Sequence, residues 1–225
     1  MNQLEKELGL LKEEVLKMWS LVQMQLTKSK KAMLTFDEDL AREVMLKENR
    51  VNAYELKIDL DCENILALYS PVAIDLRFLL AALKINSNLE RIGDIAEGIA
   101  KYILTFGNKF DETIMARTQL LQMYDEAINM LIDTRIAFEN EDTILARSVF
   151  KKDEILDEIN ARGNENIAAC VKDDPDSLNE ALYVFSIIRR MERVGDQVKN
   201  IAEEIIFFVE AKVLKHSETM DSNLL

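Results

Sequence analysis

Only two prolines interrupt this 225-residue chain. Each stands at the head of a long run in which apolar residues return every three or four positions. Pro71 and Pro175 lie 104 residues apart (175 − 71). With six glycines besides, the chain has few places to turn, so it must be almost entirely helix, in long pieces joined by short links. Short links make consecutive helices antiparallel neighbours, which is a bundle. No stretch alternates as a strand does, and the predicted class is all-α.

Punctuation divides the chain into six helices. Leu8, Leu11, Val15 and Met18 set the apolar spacing of a first helix from about Leu4 to Met33. The box Thr35-x-x-Glu38 predicts the start of a second. Ser70-Pro71 predicts a third, with Ser70 as cap and Pro71 in the first turn, and Gly107 and Asn108 close it. A fourth is predicted from about Asp111 to Phe138, broken from a fifth by Glu139-Asn140-Glu141-Asp142. Asp174-Pro175 and the box Ser177-x-x-Glu180 open a sixth, reaching towards Lys215. Helices of about 30 residues are about 45 Å long.

Helices two and three recur as five and six. Ala41-Arg42-x-Val44 matches Ala146-Arg147-x-Val149, Pro71 matches Pro175, and Glu90-Arg91-Ile92-Gly93-Asp94 matches Glu192-Arg193-Val194-Gly195-Asp196. The offsets are 105, 104 and 102 (146 − 41, 175 − 71, 192 − 90). Internal duplication into two tandem three-helix bundles packed side by side is the simplest account. It gives bundles over 1–108 and 109–216 and a disordered tail over 217–225.

The repeated phrase is costly where it stands. Two acids one turn apart repel by a few tenths of a kcal/mol, and a glycine inside a helix costs about 1 kcal/mol relative to alanine. At about 100° per residue, Asp94 and Glu97 fall within about 40° of Glu90, well away from Ile85, Leu89, Ile92, Ala96, Ile99 and Ile103. Glu192 and Asp196 lie similarly opposite Met191, Val194, Val198, Ile201 and Ile205. Gly93 and Gly195 flank the acids and let a neighbouring helix, or something bound, approach the backbone.

The partner helices carry Glu48-x-x-x-Asn52 and Asp153-x-x-x-Asp157. The midpoints of the first pair of motifs, residues 50 and 92, are each 21 residues from Pro71; those of the second, 155 and 194, are 20 and 19 from Pro175. Antiparallel hairpins turning at the prolines therefore hold each pair of motifs at one level. Oxygen-only ligand sets suit hard cations such as Mg²⁺, Ca²⁺ and Mn²⁺ and can hold clustered iron. The bland alternative is a solvated helix face whose phrases and glycines were inherited by duplication. His216, the one histidine, falls in the tail, which argues against di-iron sites built on Glu-x-x-His.

Charge narrows the partners. Lys and Arg number 28 against 41 Asp and Glu, a net −13, which repels nucleic acid and anionic lipid and attracts cations and basic protein surfaces. Cys62 and Cys170 lie in apolar helical stretches and read as buried free thiols of a reducing cytoplasm. The segment Met1–Leu10 is too acidic for a signal peptide, and no apolar run is long enough to span a membrane.

Pro71-Val72-Ala73-Ile74-Asp75-Leu76-Arg77, Ala81-Ala82-Leu83-Lys84-Ile85 and Leu89-Glu90-Arg91-Ile92-Gly93-Asp94-Ile95-Ala96-Glu97 strongly resemble the PhoU family. Met191-Glu192-Arg193-Val194-Gly195-Asp196 with Asn200-Ile201-Ala202-Glu203 resembles its second copy. The resemblance implies a cytoplasmic accessory protein linking the phosphate-specific ABC transporter, through its ATPase subunit, to the phosphate-sensor histidine kinase, restraining uptake and starvation signalling. It further implies a homodimer that meets the membrane only peripherally through partners, and a metal cation cluster. Iron is favoured, with magnesium, manganese, calcium, zinc or nickel as alternatives. Carried over residue by residue, the metal-binding positions are Glu48, Glu90, Asp94, Asp153, Asp157, Glu192 and Asp196. Asn52 stands where the family pattern has an acid, so the first-repeat site is one charge short and the second is expected to bind more strongly.

A regulatory adaptor is the reading favoured over a metal-dependent enzyme and a metal-free oligomerising scaffold. The sequence offers no nucleophile–base pair, phosphate-cradling glycine loop or nicotinamide fingerprint.

Overall fold

A computed structural model describes residues 2–214; His216 and the tail over 217–225 lie outside the described residues. The helices are α1 (Gln3–Thr35), α2 (Glu38–Tyr69), α3 (Ala73–Phe106), α4 (Glu112–Arg117), α5 (Leu120–Asn140), α6 (Thr143–Asp173) and α7 (Leu178–Glu210), with a 3₁₀ turn at Pro175–Ser177. They form two tandem three-helix bundles, α1–α3 and α5–α7, the short α4 leading into the second, packed side by side through α3 against α7 and α1 against α5. Among the described residues α2 and α6 lie on opposite flanks and do not touch.

The seam between the repeats is a continuous core. Trp19 of α1 is fully buried and its indole N–H donates to the Leu131 carbonyl of α5 at 3.0 Å. Its ring lies 5.7 Å from Phe138; Phe138 and Phe208 each meet Phe78, at 6.0 and 5.7 Å. One aromatic cluster thus draws on α1, α3, α5 and α7. Aromatic pairs at such distances add about 0.5–1.5 kcal/mol each beyond the area they bury. Lys84 of α3 also reaches the buried Glu204 of α7 at 3.0 Å.

Several helix ends differ from the sequence reading. Thr35 does not cap α2: its hydroxyl donates back to the Lys31 carbonyl, α1 runs through it, and Asp37 caps instead by accepting from the Leu40 N–H at 2.9 Å. Ser70 ends α2 in the left-handed region (φ 46°), and α3 begins at Ala73 after Val72, which offers no side-chain cap. Thr118 and Gln119 split the predicted fourth helix; the Thr118 hydroxyl donates to the Ile114 carbonyl and Gln119 turns to φ 57°. Asp174, rather than Ser177, caps the turn at Pro175 by accepting from the Asp176 N–H. α7 stops at Glu210, five residues short of Lys215, with Ala211 left-handed. Gly107 (φ 71°) closes α3, and Glu141 and Asp142 separate α5 from α6, as the sequence indicates.

Cys62 and Cys170 are buried and free. Burial pushes the Cys62 thiol up to about 12. No described helix is long and apolar enough to cross a membrane.

Candidate metal centre and its repeat

The glycine of each phrase faces the acid of the partner helix. A β-carbon on Gly93 would stand 2.9 Å from Oε2 of Glu48, and one on Gly195 would stand 2.7 Å from Oδ1 of Asp153. Omitting the side chain lets α2 and α6 insert a carboxylate against α3 and α7. That explains why the duplicated phrase tolerates glycine in mid-helix. Both inserted acids are nearly inaccessible, at 4 % for Glu48 and 3 % for Asp153. The sequence put the carboxylates of α3 and α7 on a strip off the core, and Asp94 is exposed while Glu90, Glu192 and Asp196 are half-exposed. Glu48 and Asp153, however, are buried acids that need compensation.

In the first repeat Glu48 receives one hydrogen bond. The Gln25 amide donates to its Oε2 at 2.8 Å, and Oε1 has no partner. Burial raises its pKa to about 7, helped by the nearby charges of Asp94, Glu97 and Glu90 and opposed by Gln25. Glu90 is raised by burial and then by Asp94 and Glu55; Glu55 is raised by burial and then by Asp59 and Asp94. Five carboxylates, Glu48, Glu55, Glu90, Asp94 and Glu97, therefore share one field. Lys101 pairs with Glu97 at 2.6 Å at the rim.

A four-residue spacing from Glu48 points to position 52, but the acid that joins the cluster on α2 is Glu55. Asn52 is exposed, whereas Glu55 lies two turns beyond Glu48 on the same face of α2. The missing signal was the spacing of seven.

The second repeat gathers Asp153, Asp157, Glu192 and Asp196, as the matched levels require. Burial raises Glu192, followed by the charges of Asp196 and Asp157, with Asp153 also contributing. This cluster, however, already holds a cation. Lys199 Nζ lies 2.5 Å from Oδ2 of Asp153 and 3.2 Å from Oδ1 of Asp196. Burial works against the charge on Lys199, but the hydrogen bonds to Asp153 and Asp196 outweigh it and its pKa rises. The two buried acids are thus answered differently: Asp153 by the Lys199 ammonium, Glu48 by the Gln25 amide.

Between α3 and α7 the other half of each phrase meets. Arg91 and Arg193, with Arg190 and Lys101, line a groove of about 310 Å³ that also borders Asp94 and Glu97. The Arg190 guanidinium packs closely over Gly98 and stacks 4.7 Å from the ring of Tyr102. The basic groove between α3 and α7 therefore adjoins the first acid cluster through Asp94 and Glu97.

The first cluster fits a hard cation on three counts: an orphaned buried carboxylate oxygen, a cradle that a β-carbon would fill, and an all-oxygen donor set. As placed, the described His, Cys, Asp and Glu side chains do not gather into a group of three around one point. The second cluster does not fit, because Lys199 stands among its ligands.

Fold and site define a class: duplicated three-helix proteins that insert an acid from each outer helix opposite a glycine of the repeated phrase. The PhoU domain model matches the chain twice, over residues 15–103 and 120–205. The chain belongs to the PhoU family. It is 31% identical over 211 residues to the phosphate-specific transport system accessory protein PhoU homolog 1 of Thermotoga maritima, covering 94% of this chain and 90% of that one. To the PhoU homolog of Aquifex aeolicus it is 33% identical, covering 94% and 95%. Among solved structures, the phosphate transport system regulatory protein PhoU from Streptococcus pneumoniae superposes with a TM-score of 0.85 at 29% identity, covering 94% of this chain and 99% of that one. PhoU from Pseudomonas aeruginosa superposes with a TM-score of 0.86 at 28% identity, covering 93% and 100%.

Proposed function

We propose that this protein is a regulatory adaptor of phosphate homeostasis, acting in the cytoplasm. It restrains phosphate uptake and starvation signalling by contacting the ATPase subunit of the phosphate-specific transporter and the phosphate-sensor histidine kinase. Membrane contact comes only through those partners. The observation that carries this reading is the full-length match to a phosphate transport regulatory protein, with nearly the whole of both chains superposed. The net charge of −13 fits docking on basic protein surfaces rather than on nucleic acid.

Metal enters as part of the same reading. Glu48, Glu90 and Asp94 would hold a divalent or ferric cation between α2 and α3, with Glu55 and Glu97 in reach. The bound ion would neutralise Glu48 and draw α2 onto α3, fixing the outer flank of the bundle that a partner would meet. The half-exposed Glu90 and exposed Asp94 can turn inward around an ion seated on Glu48. Asp157 and Glu192 take no metal in this account, and neither do Asp153 and Asp196.

Co-purification of the chain with the transporter ATPase and the kinase, with and without added Mn²⁺ or iron, tests the reading. Retention of either partner supports it. Failure to retain both, in every metal condition, would leave the adaptor role without support. The homodimer belongs to the same proposal and is checked by light scattering.

A further inference from the structure

Just past the phrase the two clusters exchange charges: Glu97 and Lys101 of α3 stand where α7 has Lys199 and Glu203 (97 + 102 and 101 + 102), and Lys101 sits on Glu97 at the rim. Three residues after the last acid of each phrase stands Glu97 in α3 and Lys199 in α7 (94 + 3 and 196 + 3). Glu97 adds charge to the field around Glu48. Lys199 reaches across to α6 and lies on the two carboxylates, Asp153 and Asp196, that are the counterparts of Glu48 and Asp94.

The rest of each cluster follows from that difference. In the second repeat the buried acid is answered by an ammonium that the chain itself supplies. In the first repeat the buried acid has only the Gln25 amide, and its Oε1 is bare. Both acids are inserted against a glycine at nearly the same separation, so the cradle is common to both and only the counter-charge differs. An ion approaching the second cluster must first displace Lys199 from a buried carboxylate, while an ion approaching the first displaces nothing charged from Glu48.

We infer that Lys199 is a tethered cation that takes the place of metal in the second repeat, so that the protein binds divalent cations through the first cluster alone. This rests on the metal reading given above. Duplication supplied two equivalent cradles, and the glutamate-to-lysine difference made one of them self-sufficient. Its role is structural: it holds α6 on α7 whatever the supply of metal. The other cluster remains dependent on an external ion.

Calorimetric titration of the full chain with Mn²⁺ tests the assignment. Asp153→Asn is expected to leave the binding capacity unchanged, and Glu48→Gln to weaken it at least about tenfold, the loss of a charged ligand from an all-oxygen site. Lys199→Gln is expected to add a second set of sites, and Glu97→Lys, which installs the ammonium in the first cluster, to abolish binding there. Wild-type binding that Asp153→Asn halves would overturn the Lys199 assignment while leaving the metal reading intact. So would a folded Lys199→Gln chain with no added capacity. No binding by the wild type or any variant overturns both. If Lys199→Gln does not fold, Asp153→Asn and Glu48→Gln, both near-isosteric, decide the question between them.

Discussion

Glu48 lies so close beneath Gly93 that a β-carbon there would come within 2.9 Å of its Oε2. Its counterpart on Gly195 would come within 2.7 Å of both Asp153 Oδ1 and Leu156 Cδ2. Alanine at either position gains about 1 kcal/mol of helix propensity, so the outcome depends on what must give. At Gly93 the nearest atom is the end of a flexible side chain, Glu48 Oε2, held by one hydrogen bond from Gln25, with Val51 Cγ1 behind it at 3.2 Å. The other site presents a buried leucine and an acid already pinned by Lys199. Gly195→Ala is therefore expected to destabilise by about 1–3 kcal/mol, and Gly93→Ala to change stability by less than about 1 kcal/mol while impairing metal binding. Thermal unfolding of the two variants checks this; a Gly195→Ala chain more stable than wild type would remove the close-approach argument.

Glu48 gives the protein a definite pH response. Its pKa is about 4.5 unfolded and about 7 folded. Between those values the native state binds the extra proton, so stability falls as pH rises through the window, and the full penalty remains above it. Below about 4.5 the group contributes no penalty. Glu48→Gln should therefore match wild type near pH 4.5 and exceed it near pH 8, by on the order of 1–3 kcal/mol. Melting temperatures across that range, in chelator, report the difference. Equal stability at pH 8 would show that Glu48 is not a buried, uncompensated charge.

Trp19 is the only tryptophan and sits at the seam between the repeats. Because the aromatic cluster belongs to both bundles, neither should unfold alone. Tryptophan fluorescence and far-ultraviolet circular dichroism are expected to report one coincident denaturation. Trp19→Ala should cost about 3–5 kcal/mol. Two separated transitions would mean that the bundles are energetically independent.

Much of this architecture is written in local chemistry. The prolines, Gly107 and the break at Glu139–Asp142 are strong signals because few residues can occupy those backbone positions, and the repeated phrase set the level at which the acids meet. Capping was less legible: Thr35 and Asp37 are both competent caps, and only the extent of α1 decides between them. The break at Gln119 has no glycine or proline to announce it. At the site, a four-residue spacing found the acids but not Glu55, which lies two turns away. The charge reversal at Lys199 lies just beyond the repeated phrase and was hidden by the identity within it. It changes the ranking of the two clusters because a lysine three residues along a helix can reach across to the neighbouring one, a contact that spacing along a single helix does not reveal.

The central claim is that one acid cluster, that between α2 and α3, is built to take a cation. Crystals grown with Mn²⁺ and measured for anomalous scattering test it most directly. The account predicts a peak between α2 and α3, about 2.0–2.6 Å from carboxylate oxygens of Glu48 and of Glu90 or Asp94, with Lys199 still seated on Asp153 and no peak between α6 and α7. A peak between α6 and α7 with Lys199 displaced, or no peak at either cluster, would contradict it.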